Sequence, residues 1–304
     1  MKKAAVFISL ALFFTVFGFG SGAKIIPFKM ERNKIILPVR VGESQPLRII
    51  LDTGMAWQGL LLFDGNKGKE LGLSGGSRYR IEGAGQGTTS YAFRSEGNTL
   101  NLNGIDFPDQ AVVILQSDTL NGFPTDGVIG NTIFDSGIVH IDHDRKILHI
   151  LRREEFKPDT AWTMIDLTFN ENNIPCLEAA ISIKGEAAVP VKLYIDSASS
   201  EALEMLVKEH MAFSLPDKLT DRHFGWGLSG EITGKIGRIT SLRLGPYSLL
   251  DVLTGFIPVE MRSRQRGMDG VLSNSVLRRF NLIFDYKNAK LFLKPNNAFS
   301  IPFI

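Results

Sequence analysis

The sequence predicts an all-β protein that consists of two homologous β-barrel lobes, related by internal duplication, with a few short helices. Three observations support this fold class. Short segments rich in Val, Ile, Leu and Phe, separated by Gly, Asn, Asp and Pro, are typical of strands at hairpin spacing. Strands do not alternate with long helices, which argues against a doubly wound α/β sheet. Finally, the same landmarks occur twice along the chain in the same order.

The sequence contains many strand signals and few helix signals. The strand pattern is clearest in four segments: Lys34–Val41, Ala111–Leu115, Ile138–Asp142 and Leu282–Asp285. The best helix signal covers Glu201–Met211, because its apolar residues recur at helical spacing and Ser199 or Ser200 can serve as the N-cap. Two short helices are expected near Asn131–Phe134 and Asn274–Phe280.

The duplication rests on three landmarks that recur at offsets of 144, 143 and 143 residues. The matching pairs are Ile49–Gly54 with Leu193–Ala198, Asp126–Asn131 with Asp269–Asn274, and Ile141–Leu148 with Phe284–Leu291. Three matches in register indicate a repeated domain. The polar stretch Arg152–Asp159 lies between the copies and is the natural linker. We therefore expect one lobe at residues 24–154 and a second at residues 155–304.

Composition excludes several classes of protein. The 304 residues include 34 basic and 32 acidic residues, for a formal charge of +2. With no basic block, the chain lacks the electrostatic footprint of a nucleic-acid-binding protein. Its single cysteine, Cys176, excludes an intrachain disulfide framework and a cysteine-based zinc site. The apolar neighbours of Cys176 predict a buried packing residue.

The first 23 residues are predicted to be a signal peptide. Lys2 and Lys3 precede an apolar run from Ala4 to Gly20, and the small residues that follow predict cleavage after Ala23. The run is shorter than the ~20 residues that a membrane-spanning helix needs. We therefore expect an exported bacterial protein, either periplasmic or secreted. The alternative is an N-terminal anchor that stays attached and tethers the protein to the membrane.

Each copy carries an aspartate at the end of an apolar strand, followed by a hydroxyl residue and a small residue. The two triplets are Asp52–Gly54 (DTG) and Asp196–Ala198 (DSA). A two-fold arrangement can bring the acids together, and carboxylates about 3 Å apart share one proton because both cannot ionise. One acid can then serve as general base on a water and the other as general acid toward a carbonyl oxygen. The hydroxyls of Thr53 and Ser197 can bond across the two-fold axis and hold the loops rigid.

This constellation resembles the aspartic protease superfamily, and most closely the bacterial retropepsin-like proteins in which two copies are fused into a pepsin-like bilobed chain. The resemblance covers nearly the whole mature chain. It implies two acid-protease lobes and an aspartic endopeptidase that uses no metal or other cofactor. It also implies a monomer whose partner is a peptide or protein substrate. The implied catalytic pair is Asp52 and Asp196, and the implied supporting residues are Thr53, Gly54, Ser197 and Ala198.

The family also has a hairpin flap that closes over the bound peptide. By position, the flap candidates in this chain are Gly83, Gly85 and Gly87 in the first copy and Trp226 in the second. Either hairpin could cover the cleft, and the sequence does not decide between them.

Two positions depart from the family pattern, since Ala198 and Ser273 stand where the family has glycine. A positive φ at either position would be strained in a residue other than glycine. The alternative function is therefore a non-catalytic peptide-binding or envelope-interaction protein with the same fold.

Three further motifs are interpreted as structural. Gly72–Gly76 matches the G-x-S-x-G pattern, but no long helix follows it, as a hydrolase nucleophile would require. His140, His143 and His149 lie close together in sequence without the spacing of a helical zinc site, so we expect packed or solvated histidines rather than a metal site. The basic run Arg262–Arg266 is interpreted as a solvated loop.

Overall fold

The computed structural model describes residues 24–73, 76–116, 120, 122–265 and 267–304. The predicted signal peptide, residues 1–23, lies outside the described residues. The same is true of Ser74 and Gly75 in the G-x-S-x-G match and of Arg266 in the basic run. Within the described ranges, no helix has the length and apolar character needed to cross a membrane.

The protein is mostly β, which confirms the predicted class. Three short helices are present in the described part of the chain: α1 (Gly65–Glu70), α2 (Asn131–Phe134) and α3 (Asn274–Leu277). The last two confirm the short helices expected from the sequence. Two short 3-10 segments, Arg153–Glu155 and Val259–Gln265, complete the helical residues.

Strands account for the rest of the regular structure, and the four strands expected from the sequence are all present. The strands up to residue 151 are β1 (Lys24–Pro27), β2 (Lys29–Glu31), β3 (Lys34–Val41), β4 (Leu47–Leu51), β5 (Leu60–Leu62), β6 (Tyr79–Ile81), β7 (Gln86–Gly87), β8 (Ser90–Leu102), β9 (Ile105–Leu115), β10 (Gly127–Ile129), β11 (Ile138–Asp142) and β12 (Ile147–Leu151). The later strands are β13 (Thr163–Asp166), β14 (Thr168–Phe169), β15 (Pro175–Ser182), β16 (Val189–Asp196), β17 (Leu203–Val207), β18 (Thr220–Gly227), β19 (Gly230–Leu244), β20 (Tyr247–Pro258), β21 (Gly270–Ser273), β22 (Phe280–Asp285) and β23 (Lys290–Pro295).

Each half of the chain forms a closed ring of six strands. In the first half the order is β3-β4-β10-β5-β9-β8, and β8 pairs again with β3. In the second half the order is β15-β16-β21-β17-β20-β19, and β19 pairs again with β15. Each ring has two parallel pairs, β4 with β10 and β5 with β9 in the first, and β16 with β21 and β17 with β20 in the second. An antiparallel pair, β10 with β5 or β21 with β17, lies between them. Closure leaves no unpaired edge within either ring, and both rings are β-barrels with the same strand order.

A third sheet joins the halves, in the order β1-β12-β11-β22-β23-β13. Its central pair, β11 with β22, is antiparallel and places Ile141 opposite Leu282. Aromatic packing extends this junction, because the ring of Phe134 lies edge-on to Phe284 at 5.2 Å and stacks on Tyr286 at 4.9 Å. Residues of both halves therefore share one hydrophobic core.

The helix predicted over Glu201–Met211 is wrong, because Leu203–Val207 forms strand β17. This strand pairs in parallel with β20 on one side and antiparallel with β21 on the other. Successive side chains of β17 are buried on both faces, so its apolar run reflects a strand at the centre of a sheet rather than one face of a helix. Tertiary pairing outweighs local helix propensity here. The expected N-cap, Ser200, donates its hydroxyl to the carbonyl of Arg32 instead.

Two of the three neighbouring histidines, His140 and His149, belong to the junction sheet, and His143 lies in the turn between β11 and β12. His140 on β11 and His149 on β12 face each other in register and stack at 5.2 Å, and both are buried. Trp162 contacts the edge of the His140 ring at 5.4 Å. Burial, with a smaller contribution from His149, lowers the pKa of His140 to about 4. His140 and His149 are therefore packed within this sheet, and burial lowers the pKa of both, which favours their uncharged forms.

We expect His140 to make the stability of the protein depend on pH. A histidine whose pKa is lower in the folded state binds its proton more readily when unfolded, so its contribution to stability falls as pH drops from about 6.5 toward 4. A His140→Phe variant keeps an aromatic ring in the stack but cannot be protonated. Between pH 7.5 and pH 4.5, the variant should gain about 2–3 kcal/mol relative to the parent in urea unfolding. An equal pH dependence in both proteins would contradict a buried neutral His140.

Candidate active site

The two predicted acids lie at the carboxyl ends of equivalent strands. Asp52 follows β4, and Asp196 is the last residue of β16. Their proximity is seen at Gly54, where a Cβ atom would lie 3.0 Å from Asp52 Oδ1 and 3.8 Å from Asp196 Oδ1. Both carboxyl groups therefore border one small space, although the residues are far apart in sequence.

The loops that carry the acids are joined by a reciprocal set of hydrogen bonds. The N–H of Thr53 donates to Ser197 Oγ, and the N–H of Ser197 donates to Thr53 Oγ1, both at 3.0 Å. Each hydroxyl then donates to the carbonyl that precedes the other acid, Thr53 to Ile195 at 2.8 Å and Ser197 to Leu51 at 2.7 Å. Thr53 and Ser197 are buried, so solvent does not compete for these four bonds. The bracing expected of the two hydroxyls is present in the structure.

Backbone N–H groups support each carboxyl group from the same side. The N–H of Gly54 donates to Asp52 Oδ1 at 2.7 Å. The N–H groups of Ala198 and Ser199 both donate to Asp196 Oδ1 at 3.0 Å. These bonds fix the orientation of both side chains, and the support around Asp196 includes one more donor.

The structure accommodates both departures from the family pattern. Among the described residues other than glycine that have positive φ, neither Ala198 nor Ser273 occurs, so neither carries the strain considered above. At Gly130, the position in the first half that corresponds to Ser273, a Cβ atom would lie 2.4 Å from the carbonyl oxygen of Met55. Only glycine fits at Gly130, whereas the second half has room for the Ser273 side chain.

The environment of Asp52 favours its protonated form. Burial, followed by the nearby negative charge of Asp196, raises the pKa of Asp52 to about 7. The Gly54 N–H and the positive charges of Arg262 and Lys34 act in the opposite direction without cancelling these two effects. The pair can therefore hold a proton up to neutral pH.

Arg262 is a site residue that the sequence interpretation missed. The run Arg262–Arg266 was expected to be a solvated loop, but the Arg262 side chain is buried. Its guanidinium contacts the carboxylate of Glu204 through Nε at 3.0 Å and Nη2 at 2.7 Å, while Nη1 lies 3.7 Å from Asp196 Oδ2. The expectation was wrong for Arg262 because it has a buried acidic partner, Glu204. The only sign of this in the sequence is that Glu204 is a single charge within an apolar segment.

A lysine of the first half also approaches the acids. Lys34, at the start of β3, donates from Nζ to the hydroxyl of Ser200. Burial lowers the pKa of Lys34, while the negative charge of Asp196 opposes that effect. The neighbouring Asn33 side chain donates to the carbonyl of Ser200 at 3.0 Å. The turn before β3 thus attaches the first half of the chain to the loop that follows Asp196.

The two glycine-rich flap candidates lie against each other. Gly87, in β7, pairs with Gly230 at the start of β19, and a Cβ atom on Gly85 would lie 2.1 Å from the carbonyl oxygen of Gly230. The N–H of Gly85 also donates to the carbonyl of Met261 at 2.9 Å. Because Met261 precedes Arg262, this bond places the tip of the first-half hairpin beside the acid pair.

The second hairpin carries one exposed and one partly buried apolar side chain. Trp226 is 52 % exposed and has His223 as its ring neighbour at 6.2 Å, and it remains a flap candidate. Leu228 lies against the first hairpin, with its Cβ 2.8 Å from the position that a Cβ on Gly83 would take. Leu228 and Ala198 pack against the same apolar cluster of the first half. Nothing in the sequence distinguishes Leu228 as a contact residue.

The described residues around the acids include no candidate metal-binding cluster. In the described ranges, no group of three or more His, Cys, Asp or Glu side chains is arranged to hold a metal ion. A groove of about 600 Å³ is present on the second barrel, with Leu219, Arg222 and Phe256 in its lining, but neither Asp52 nor Asp196 lines it.

Comparison with known proteins does not assign the chain. No model of a known protein family matches it. No curated protein matches it either. A functional assignment therefore depends on the residues described above.

The exchange of hydrogen bonds between Thr53 and Ser197 should contribute strongly to stability. A Thr53→Val variant keeps the side-chain shape but leaves the buried N–H of Ser197 without its acceptor. We expect the free energy of unfolding in urea to fall by about 2–4 kcal/mol. Thr168→Val is the matched control on the exposed strand β14, and its effect should stay within about 0.5 kcal/mol. Equal effects of the two substitutions would contradict this role of Thr53.

Proposed function

We propose that the protein is an aspartic endopeptidase that hydrolyses peptide bonds with a water molecule activated between Asp52 and Asp196. The observation that carries the proposal is the meeting of two buried loops, braced by Thr53 and Ser197, that aim both carboxyl groups into one space. A buried acid pair that holds one proton combines a general base with a general acid. We also propose membership of the aspartic protease superfamily, on the strength of the sequence motifs and this geometry.

We propose further that the two barrels are homologous lobes produced by an internal duplication. Two independent observations support this. The strand order of the two rings is the same, and the DTG and DSA triplets follow equivalent strands in them. The proposed lobes are residues 24–154 and 155–304, with the linker between β12 and β13.

The proposed reaction needs only the two carboxyl groups and water. The ionised acid takes a proton from a water molecule, and the water oxygen forms a bond to the carbonyl carbon of the peptide. At the same time, the protonated acid gives its proton to the carbonyl oxygen, which produces a neutral diol. The C–N bond then breaks as the amide nitrogen takes a proton from the first acid. The second acid recovers a proton from the diol, so the pair ends with its single proton and no covalent intermediate forms.

The substrate in this proposal is an extended peptide held partly by backbone hydrogen bonds, as in strand addition. For the peptide to reach the acids, the contacts of the two hairpin tips have to part. Gly85, Gly87 and Gly230 contribute no side chains to this contact, so separating the tips breaks a few backbone bonds and removes Leu228 from the apolar cluster against which it packs. We propose that the protein acts as a monomer without a cofactor.

Substitution of either acid should abolish hydrolysis. With an unfolded protein as substrate, and pH varied from 3 to 8, Asp52→Asn and Asp196→Asn should each lower kcat/KM at least ~100-fold, because each removes one of the two proton-transfer groups. Asp251→Asn is the matched control, since Asp251 is an exposed aspartate on β20, and it should keep the parent activity.

Two outcomes would overturn the proposed function. Hydrolysis that survives in either acid variant would place the activity elsewhere. A folded parent that cleaves nothing at any pH, yet binds the unfolded protein, would favour the non-catalytic peptide-binding protein.

The proposed export has its own test. When the chain is produced with its own leader in a bacterium, the mass of the purified protein should correspond to a mature N-terminus at Lys24, because the small residues before it suit signal peptidase. Ala23→Phe places a large residue at the cleavage position and should leave the leader attached. A parent protein that keeps Met1 would instead support the membrane-tethered alternative.

A further inference from the structure

The two halves differ at one buried position beside the acids. In the first barrel, Leu61 of β5 faces Val128 of β10, whereas in the second barrel Glu204 of β17 faces Val271 of β21. Both Leu61 and Glu204 are almost completely buried. The first half thus places an apolar side chain where the second half places a carboxylate.

Glu204 is satisfied within its own half. Two nitrogens of Arg262 contact its carboxylate, and the hydroxyl of Ser199 donates to Glu204 Oε1 at 3.1 Å. The first half has no counterpart to Arg262, because residues 116–126 contain neither lysine nor arginine. The charged network is therefore a feature of the second half alone.

Arg262 divides its contacts between two acids. Because Nε and Nη2 are occupied by Glu204, the guanidinium is fixed with Nη1 directed at Asp196 Oδ2, 3.7 Å away. A fixed positive charge at this distance, between two side chains that are largely buried, favours the ionised form of the carboxylate that it faces.

The remaining charged and titratable groups near the acids come from several elements. Lys34 approaches from β3 of the first half, and Glu201 lies in the segment between Asp196 and β17. Tyr194 lies two residues before Asp196 on β16, and burial raises its pKa well above the ordinary value, so its ring stays neutral. Lys34 and Glu201 carry opposite charges, and Arg262 lies directly beside Asp196, with Nη1 3.7 Å from Oδ2.

We propose that Arg262, fixed by Glu204, is a positioning residue that keeps Asp196 ionised and leaves the shared proton on Asp52. This inference rests on the proposed function. It assigns Asp196 as the base that takes a proton from water and Asp52 as the acid that protonates the carbonyl oxygen. Because the pKa of Asp52 is raised to about 7, the active form of the pair persists from acid to neutral pH. The protein is then a peptidase that works near neutral pH.

The direct test is the titration of the two carboxyl groups by NMR in protein labelled with carbon-13 at aspartate Cγ. Spectra of Asp52→Asn and Asp196→Asn assign the two signals. In the parent, as pH falls from 8, the Asp52 signal should move first while the Asp196 signal keeps its ionised position. This readout does not depend on hydrolysis, so it remains decisive if the protein cleaves nothing.

A double variant tests the same inference by placing apolar side chains at Glu204 and Arg262, as the first half has at Leu61. In Glu204→Leu/Arg262→Met, both charges are removed together, so no buried charge is left unpaired and the fold should be retained. The proton should then spread over both acids, and the two signals should move together. Lys235→Met/Asp221→Leu removes an exposed ion pair and is the control, in which the parent titration should persist.

Kinetics provide a second readout that a purely structural role would not change. In Glu204→Leu/Arg262→Met, the acid limb of the kcat/KM profile should move to higher pH by about one unit, because the positive charge beside Asp196 is lost. The single variant Arg262→Lys keeps that charge and should keep the acid limb of the parent. If the double variant does not fold, Glu204→Gln decides, because loss of the negative charge alone should move the limb to lower pH.

Parent signals that titrate together, or an acid limb that stays in place in every folded variant, would overturn the assignment of roles without affecting the proposed hydrolysis. Loss of hydrolysis in the parent itself would overturn the proposed function instead, while the NMR titration would still decide the inference.

Discussion

The geometry of the acid pair depends on one exchange of hydrogen bonds between loops 144 residues apart in sequence. Thr53 and Ser197 each accept the N–H of the other, and their hydroxyls donate to carbonyls one residue before each acid. Because all four bonds are buried, a shift of either loop would leave a polar group without a partner, at a cost greater than the bond itself contributes. The positions of both carboxyl groups, and of the hairpins above them, follow from this constraint.

On this nearly symmetric frame, the second half carries a buried ion pair where the first has leucine. Replacing a buried ion pair with apolar residues is often neutral or stabilising, so stability alone does not account for Glu204 and Arg262. Their closeness to Asp196, and the absence of any charge at Leu61, make the environments of the two acids different. The backbone adds a smaller difference, because one N–H donates to Asp52 and two donate to Asp196.

The sequence predicted the features that repeat and missed those that occur once. The strand-end positions of the acids, their hydroxyl neighbours and the short helices α2 and α3 were predictable because their sequence signals occur twice, at nearly the same offset. The helix expected at Glu201–Met211 failed because partners distant in sequence, β20 and β21, determine the conformation of β17. Arg262 was missed for a similar reason, since its burial depends on Glu204, 58 residues away. The contact of Leu228 with the first half was missed in the same way, since it depends on residues distant in sequence.

The junction sheet has a consequence for how the protein moves. Since β11 and β22 are joined by backbone hydrogen bonds and share aromatic packing, the two barrels cannot swing apart without breaking a continuous sheet. Hinge bending between the halves is therefore a poor route to the acids. The hairpin tips are held by a few backbone bonds and by the contact of Leu228 with the apolar cluster of the first half, so they can part while the junction sheet stays intact. Access to the acid pair then requires a local opening of loops rather than a rearrangement of domains. Loop motions of this kind occur within microseconds.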